Sequence, residues 1–415
     1  MTWTPRSLPR GDGAAQPAVL WGTLRAGRGW ISWGQRASGA HLHLMIHLAL
    51  LSALSLAVVT ALPAQKKKGS SAIAKVGLED RFTGEDAKAM AKLGVVDYGP
   101  LVWADNKRTT DIEKVLGEGR VLWMETEHFK IGSNFGFSGA PKDSKARRVL
   151  KGELKRLNKK CKRIPSSASK LDPWLRMHLY AQRAEELYDE FADLAGKPEE
   201  GRRLGERAKF LVLLFEKKSD LVRYLKVFCG RESQQSQRHT HSGTGHLSLV
   251  MTAEGDDGPR ESETTHAQFR YFAMQMFMDA AGGGPLWLQY GLGHVYERQV
   301  PCNMINCGPR PGESVDPATQ YEWDKKIRKR VKFEELVIPF ERLTTTSDLG
   351  YYGHVQAWAR VEWMMQDRAK FAEFLGGVLR SPSRSRQVAA LGAVYELDPL
   401  AFDEAWRKWC AKHYK

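Results

Sequence analysis

The sequence predicts an α+β fold, a small sheet packed on helices with a helical C-terminal part. Three observations carry that expectation. Phe210 to Phe215 (FLVLLF) is a short apolar run that reads as a strand. His246 to Thr252 (HLSLVMT) reads as a second strand beyond an intervening helix, and long amphipathic helical stretches lie on both sides of the pair.

With 415 residues, 42% of them hydrophobic, the chain can fill a substantial core, so disorder is not the default. Its formal charge of +15 comes partly from runs at Lys66 to Lys68, Lys142 to Arg163 and Lys325 to Lys332. A basic protein of this kind can attract polyanions, or its charge can simply keep it soluble. No nucleic-acid motif accompanies the charge, and nucleic acid is not an expected partner.

Leu44 to Leu62 is uncharged and almost wholly apolar, and Pro63, Ala64 and Gln65 separate it from Lys66. The pattern reads as a signal-peptide core over 44–64 with cleavage after Ala64, which implies a secreted protein, periplasmic or extracellular. An uncleaved membrane anchor is the other reading, since the stretch is about long enough to span a bilayer. Either Met1 or Met45 could be the start, and residues 1–64 are set aside as a leader. Beyond it, 65–118 reads as a Lys-rich linker and unassigned material, 119–300 as the main domain and 301–415 as its helical C-terminal part.

Order is expected from Gly119. Arg120 to Ile131 has strand-like alternation, and Gly132 to Asp143 is a polar loop. Lys145 to Ile164 puts Leu150, Leu154, Leu157, Cys161 and Ile164 on one stripe of a basic helix. Asp172-Pro173 caps another, running to Gly196 with Trp174, Met177, Ala181, Ala184, Tyr188, Phe191 and Leu194 inward. A helix near Ser219-Asp220 follows the first apolar strand, and Arg238 to His241, followed by His246, reads as an exposed polar loop of metal-binding composition with no thiol or carboxylate beside it. A helix from Thr264 to about Ala280 ends at Gly282-Gly283-Gly284-Pro285, and the next spans Leu286 to Arg298.

All five cysteines follow the leader. In an oxidising compartment a short bridge between Cys302 and Cys307 is plausible; free or buried thiols are the alternative.

Strand, helix, strand, a helix beginning THAQFRYF, a glycine break and PLWLQYGLGHVYE together resemble the gluzincin clan of zinc metallopeptidases, the peptidase MA-like families. The resemblance implies a zincin-like fold over roughly residues 120–412. Those families carry H-E-x-x-H on one helix and W-[LF]-x-E-G on the next. Two His one turn apart bind zinc, the first Glu polarises the metal-bound water, and the second Glu is the third ligand. Laid on this chain, the motif places its first His on His266, its general base on Ala267, its second His on Arg270 and its third ligand on Tyr290. Trp287, Leu288, Gly291 and Leu292 match the family's framework, with His294 where a further Glu stands. Ala267 cannot take a proton and Arg270 brings positive charge to a cation's place, so the resemblance implies a pseudoenzyme that needs no cofactor.

Two sharper readings stay open beside it. His266, His294 and His354 could converge into a rearranged zinc site, with Glu297 one turn from His294. Arg270, Tyr290 and His294 could form an anion-recognising cleft, or Arg270 could pair with Glu297 or Glu362. The leading expectation is an exported, inactive peptidase-like protein that binds a peptide or anionic ligand. Its rivals are a metal-dependent hydrolase with a rearranged His site and a purely structural envelope component.

Overall fold

The computed structural model describes residues 72–414, apart from 197–203, 205–207, 256, 257, 260, 261, 304, 309–312 and 380. The described residues belong to one unit, Gly69–Lys415. The apolar segment Leu44 to Leu62 and the cleavage site after Ala64 lie outside the described residues. Among the described residues no helix is long and apolar enough to cross a membrane.

Packing starts earlier than Gly119. Helices α1 (Ala72–Val76), α2 (Ala87–Leu93) and α3 (Thr109–Leu116) precede the sheet, and Phe82, Val95, Trp103 and Ile112 around them are buried. The expectation that order begins at Gly119 is therefore corrected: the material left unassigned before it is folded from residue 72 onward. These helices have 5, 7 and 8 residues, too short for a periodic apolar stripe to show in the sequence.

The expected strand over Arg120 to Ile131 is a hairpin of β1 (Leu122–Glu125) and β2 (Phe129–Ser133). The short β3 (Ser138–Gly139) pairs with β4 (Lys170–Leu171), and between them runs α4 (Ser144–Lys160), whose Leu150, Leu154 and Leu157 face inward. The next helix, α5 (Pro173–Ala195), is capped by Asp172 and has proline in its first turn. It is buried over much of its surface and leads to β5 (Phe210–Phe215), α6 (Lys218–Phe228), β6 (Gln237–Thr240) and β7 (Leu247–Thr252).

Five of these strands form a mixed sheet in the order β1-β2-β5-β7-β6. β2, β5 and β7 run parallel, while β1 and β6 are antiparallel edges. All six residues of β5 are buried, because helices cover both faces of the sheet. Val212, Leu214, Leu249 and Met251 belong to the larger core with α5, and Leu211, Leu213, Phe215 and Val250 to a smaller one with Ile112 and Leu221 from α3 and α6.

After a two-residue hairpin, β8 (Glu254–Gly255) and β9 (Gly258–Pro259), the chain enters α7 (Ser262–Ala280) and then α8 (Leu286–Glu297). The C-terminal part is helical: α9 (Trp323–Arg330), α10 (Phe340–Leu343), α11 (Gly350–Met364), α12 (Arg368–Val378), α13 (Arg384–Tyr395) and α14 (Pro399–His413). Helix α8 is wedged between α7 and α11. A Cβ at Gly291 would stand 2.7 Å from Ala357 O, and one at Gly293 would stand 2.9 Å from Tyr271 Cδ2. Both positions let backbones approach more closely than any side chain allows.

Candidate functional site

The main cavity is a cleft of about 830 Å³ lying along β6, floored by α7 and closed by the 305–308 segment and the start of α11. Its chemistry is amide-rich: Gln234, Gln235, Gln237, Gln268 and Gln275 all line it. Charges of both signs are present, Lys218 and Arg231 against Glu254 and Asp348, so the cleft is no simple anion trap. Arg238 pairs with Asp279 and donates from Nη1 to Gln275 O at 3.2 Å, which ties β6 to α7.

The edge strand β6 corrects the reading of Arg238 to His241 as an exposed loop. Gln237, Arg238 and His239 are half-buried, and the register pairs His239 with Ser248 and Thr240 with Leu247. His241 N donates to His246 O at 2.9 Å, which makes that pair, and by alternation His239 with Ser248, the hydrogen-bonded ones. The peptide groups of Arg238 and Thr240 therefore point away from β7, to the free edge of the sheet.

One polar chain crosses the cleft wall. Ser236 Oγ donates to Gln268 Oε1 (3.1 Å), Gln268 Nε2 to Asn306 Oδ1 (3.1 Å), and Asn306 Nδ2 to Glu297 Oε1. Glu297 Oε2 and His294 Nδ1 share a hydrogen bond of 2.6 Å, and His294 Nε2 lies 3.0 Å from His354 Nδ1. Burial pushes Glu297 well above the usual carboxylate range and His294 well below the usual imidazole range. His294, His354 and Cys307 each offer a ligand atom, all within 4.8 Å of one another. Burial also raises the Cys307 thiol.

This arrangement redraws the sequence-predicted site. His266 does not join His294 and His354; Cys307 takes that place. His266 is buried on another side of α7, in a small cavity with Glu153 and Arg183. Its pKa is pulled well down by burial and then by the charges of Arg183 and Arg270. Ala267 is wholly buried. Arg270 pairs neither with Glu297 nor with Glu362: Nε donates to Tyr296 O at 3.0 Å, Nη2 to Gln299 Oε1 at 2.5 Å, and Glu190 lies 3.8 Å away. The anion cleft of Arg270, Tyr290 and His294 is not assembled, because Tyr290 lines the main cleft and Arg270 does not. Trp287 is a core residue bonded through Nε1 to Gln387 Oε1.

The side of α7 that lines the cleft carries Tyr271, Phe272 and Gln275, about 140° round the helix from His266 and Arg270 at 100° per residue. Tyr271 and Tyr290 have parallel rings with centroids 6.4 Å apart. The H-E-x-x-H spacing therefore meets the cleft at Tyr271, Phe272 and Gln275, five residues beyond the placement made on sequence. A phenol, a phenyl ring and an amide, with Tyr290 opposite, are a donor set that does not fit zinc.

Cys302 and Cys307 are not joined by a disulfide in this structure, unlike the bridge weighed on sequence. Asn306 is held by Glu297 and Gln268, and that anchors Cys307 beside the two histidines instead.

No known family model and no curated protein matches this chain. Sequence reasoning missed Gln268 and Asn306 and took Cys307 only as a disulfide candidate; no spacing ties the three to His294, and tertiary packing alone brings them together.

Proposed function

We propose that this is a non-hydrolytic binding protein, exported through the segment Leu44 to Leu62, whose gluzincin-like cleft holds an extended peptide. The observation that carries the reading is the free edge of β6 running along an amide-rich cleft. An extended chain added there would pair with the peptide groups of Arg238 and Thr240, and the glutamine side chains would meet its remaining amides. Mixed charge in the cleft suits an uncharged backbone better than a polyanion. The gluzincin likeness rests on the Trp287 to Leu292 framework, the glycine break and the helix pair α7/α8. Hydrolysis is not proposed, because the cleft-facing turn of α7 has neither a carboxylate nor a metal-ligand pair.

A tryptic digest of casein passed over the immobilised protein tests this. Retained peptides should be recovered intact, and synthetic copies N-methylated at alternate residues should no longer bind. Thr240→Pro should weaken retention, since it removes an outward N–H and leaves the β7 ladder alone. Retention of no peptide by the folded protein, or cleavage of those retained, would overturn the reading.

One observation favours a second reading, a metal-dependent hydrolase with a rearranged site: His294, His354 and Cys307 converge at the cleft wall, with Glu297 behind His294 as an orienting carboxylate. Zinc-dependent peptide cleavage abolished by His354→Ala would promote it over the binding role.

A further inference from the structure

The hairpin of β6 and β7 carries a second cluster, on the side of the sheet away from α7. His239 and His241 are two residues apart on β6 and its extension, so their side chains leave the same face. Cys229, at the end of α6, comes up beside them, and the three residues each offer a ligand atom, all within 4.8 Å of one another. The two rings sit edge to face with centroids 4.8 Å apart.

Two features single this cluster out. His239 Nδ1 and His241 Nε2 are buried and have no hydrogen-bond partner among the described residues, and His241 as a whole is only 2% exposed. A buried ring nitrogen without a partner has lost its hydration and gained nothing in return, so two side by side call for a ligand. The other nitrogen of His241 is already engaged: Nδ1 lies 3.3 Å from Asp105 Oδ2. Asp105 in turn is held by Thr244, whose Oγ1 donates to Oδ1 at 3.1 Å. The turn leaves no room for error, since a Cβ at Gly243 would stand 2.6 Å from Asp105 Oδ1.

A carboxylate behind a histidine whose outer nitrogen is free is the arrangement that orients imidazole toward a metal. We infer that Cys229, His239 and His241 bind a zinc ion, with Asp105 orienting His241 and a water completing four-coordination. Two imidazoles and one thiolate suit this borderline-soft ion and disfavour calcium or magnesium. Burial and the neighbouring His241 lower His239 to about 4, so its lone pair is available at neutral pH. Burial raises the Cys229 thiol to about 12, and zinc binding would release that proton. The ion would tie the end of α6 and the Asp105 loop to the edge strand. His239 also lines the main cleft, but the inference does not rest on the peptide-binding reading.

Cobalt(II) titration of the purified full chain, followed by absorption, tests it. Wild type should take up one cobalt with a thiolate-to-metal charge-transfer band that zinc abolishes, and zinc should raise its melting temperature. Cys229→Ser should lose the band, and Cys307→Ser should keep it. His239→Ala, at a half-buried edge position where folding is least at risk, should also lose tight binding. Asp105→Asn should weaken affinity by about 10- to 100-fold. A band that survives Cys229→Ser and disappears in Cys307→Ser would place the metal in the cleft and overturn the inference. So would folded wild type that binds neither ion, with circular dichroism verifying the fold of each protein.

Discussion

Glu297 and His294 stand one turn apart on α8, joined by a hydrogen bond of 2.6 Å, and neither side chain is exposed to solvent. Glu297 also receives the Asn306 amide. Removing it strands two buried polar groups, so Glu297→Ala should lower stability by about 2–4 kcal/mol, and Glu297→Gln by less because an amide can still engage both partners. Urea denaturation at neutral pH measures both. Equal losses would mean that an amide cannot take over the bonds the carboxyl makes to His294 and Asn306.

His266 sets a pH dependence. Its folded pKa is depressed by burial and by Arg183 and Arg270, so the folded state binds fewer protons than the unfolded one as pH falls through the unfolded value of about 6.5. Stability from this group is fully present above that value and declines below it, by up to about 1.4 kcal/mol per pH unit. The urea midpoint should fall between pH 7.5 and 5, with a shallower slope in His266→Leu. Parallel slopes for the two proteins would exclude His266 as a source.

How α7 presents its faces yields a third expectation. Tyr271→His, Gln275→His and Tyr290→Glu, introduced together, should add one zinc equivalent over wild type in calorimetry, since they put two His and a Glu where the helices face the cleft. Ala267→Glu, Arg270→His and Tyr290→Glu should add none, because residues 267 and 270 do not line the cleft. The reverse result would restore the placement on His266.

Arg360 is wholly buried, bonded through Nη2 to Asp403 Oδ1 and to Ile338 O, both at 2.7 Å, and stacked 3.8 Å from the Trp406 ring. Asp403→Ala leaves a buried guanidinium without its counter-charge and should cost about 3–5 kcal/mol. Thermal or chemical unfolding of the variant would show it, and a loss under 1 kcal/mol would mean water reaches the site.

The parts legible in sequence were those with a dense local signal. FLVLLF could only be a buried strand, Asp172-Pro173 fixed the start of α5, and Gly282 to Pro285 separated α7 from α8. The edge strand QRHT was not legible: half of its surface is solvated, so it shows no apolar alternation. Nor was the cleft-lining face of α7, because that helix is buried nearly all round, polar residues included, and His266 is about as buried as Tyr271. The histidines of the hairpin lacked a thiol and a carboxylate in sequence only. Cys229 and Asp105 reach them through folding, across a separation that no spacing rule covers.

An edge strand is ordinarily a hazard, since its unpaired peptide groups can seed the stacking of one molecule on another. Here β6 is four residues long, crossed by the Arg238 pairing with Asp279 and sunk beside α7. A recess of this kind disfavours a flat sheet edge from a second molecule more than a single extended strand. On the peptide-binding reading proposed above, the recess that would admit a guest strand would also shield this edge from the edge of another molecule.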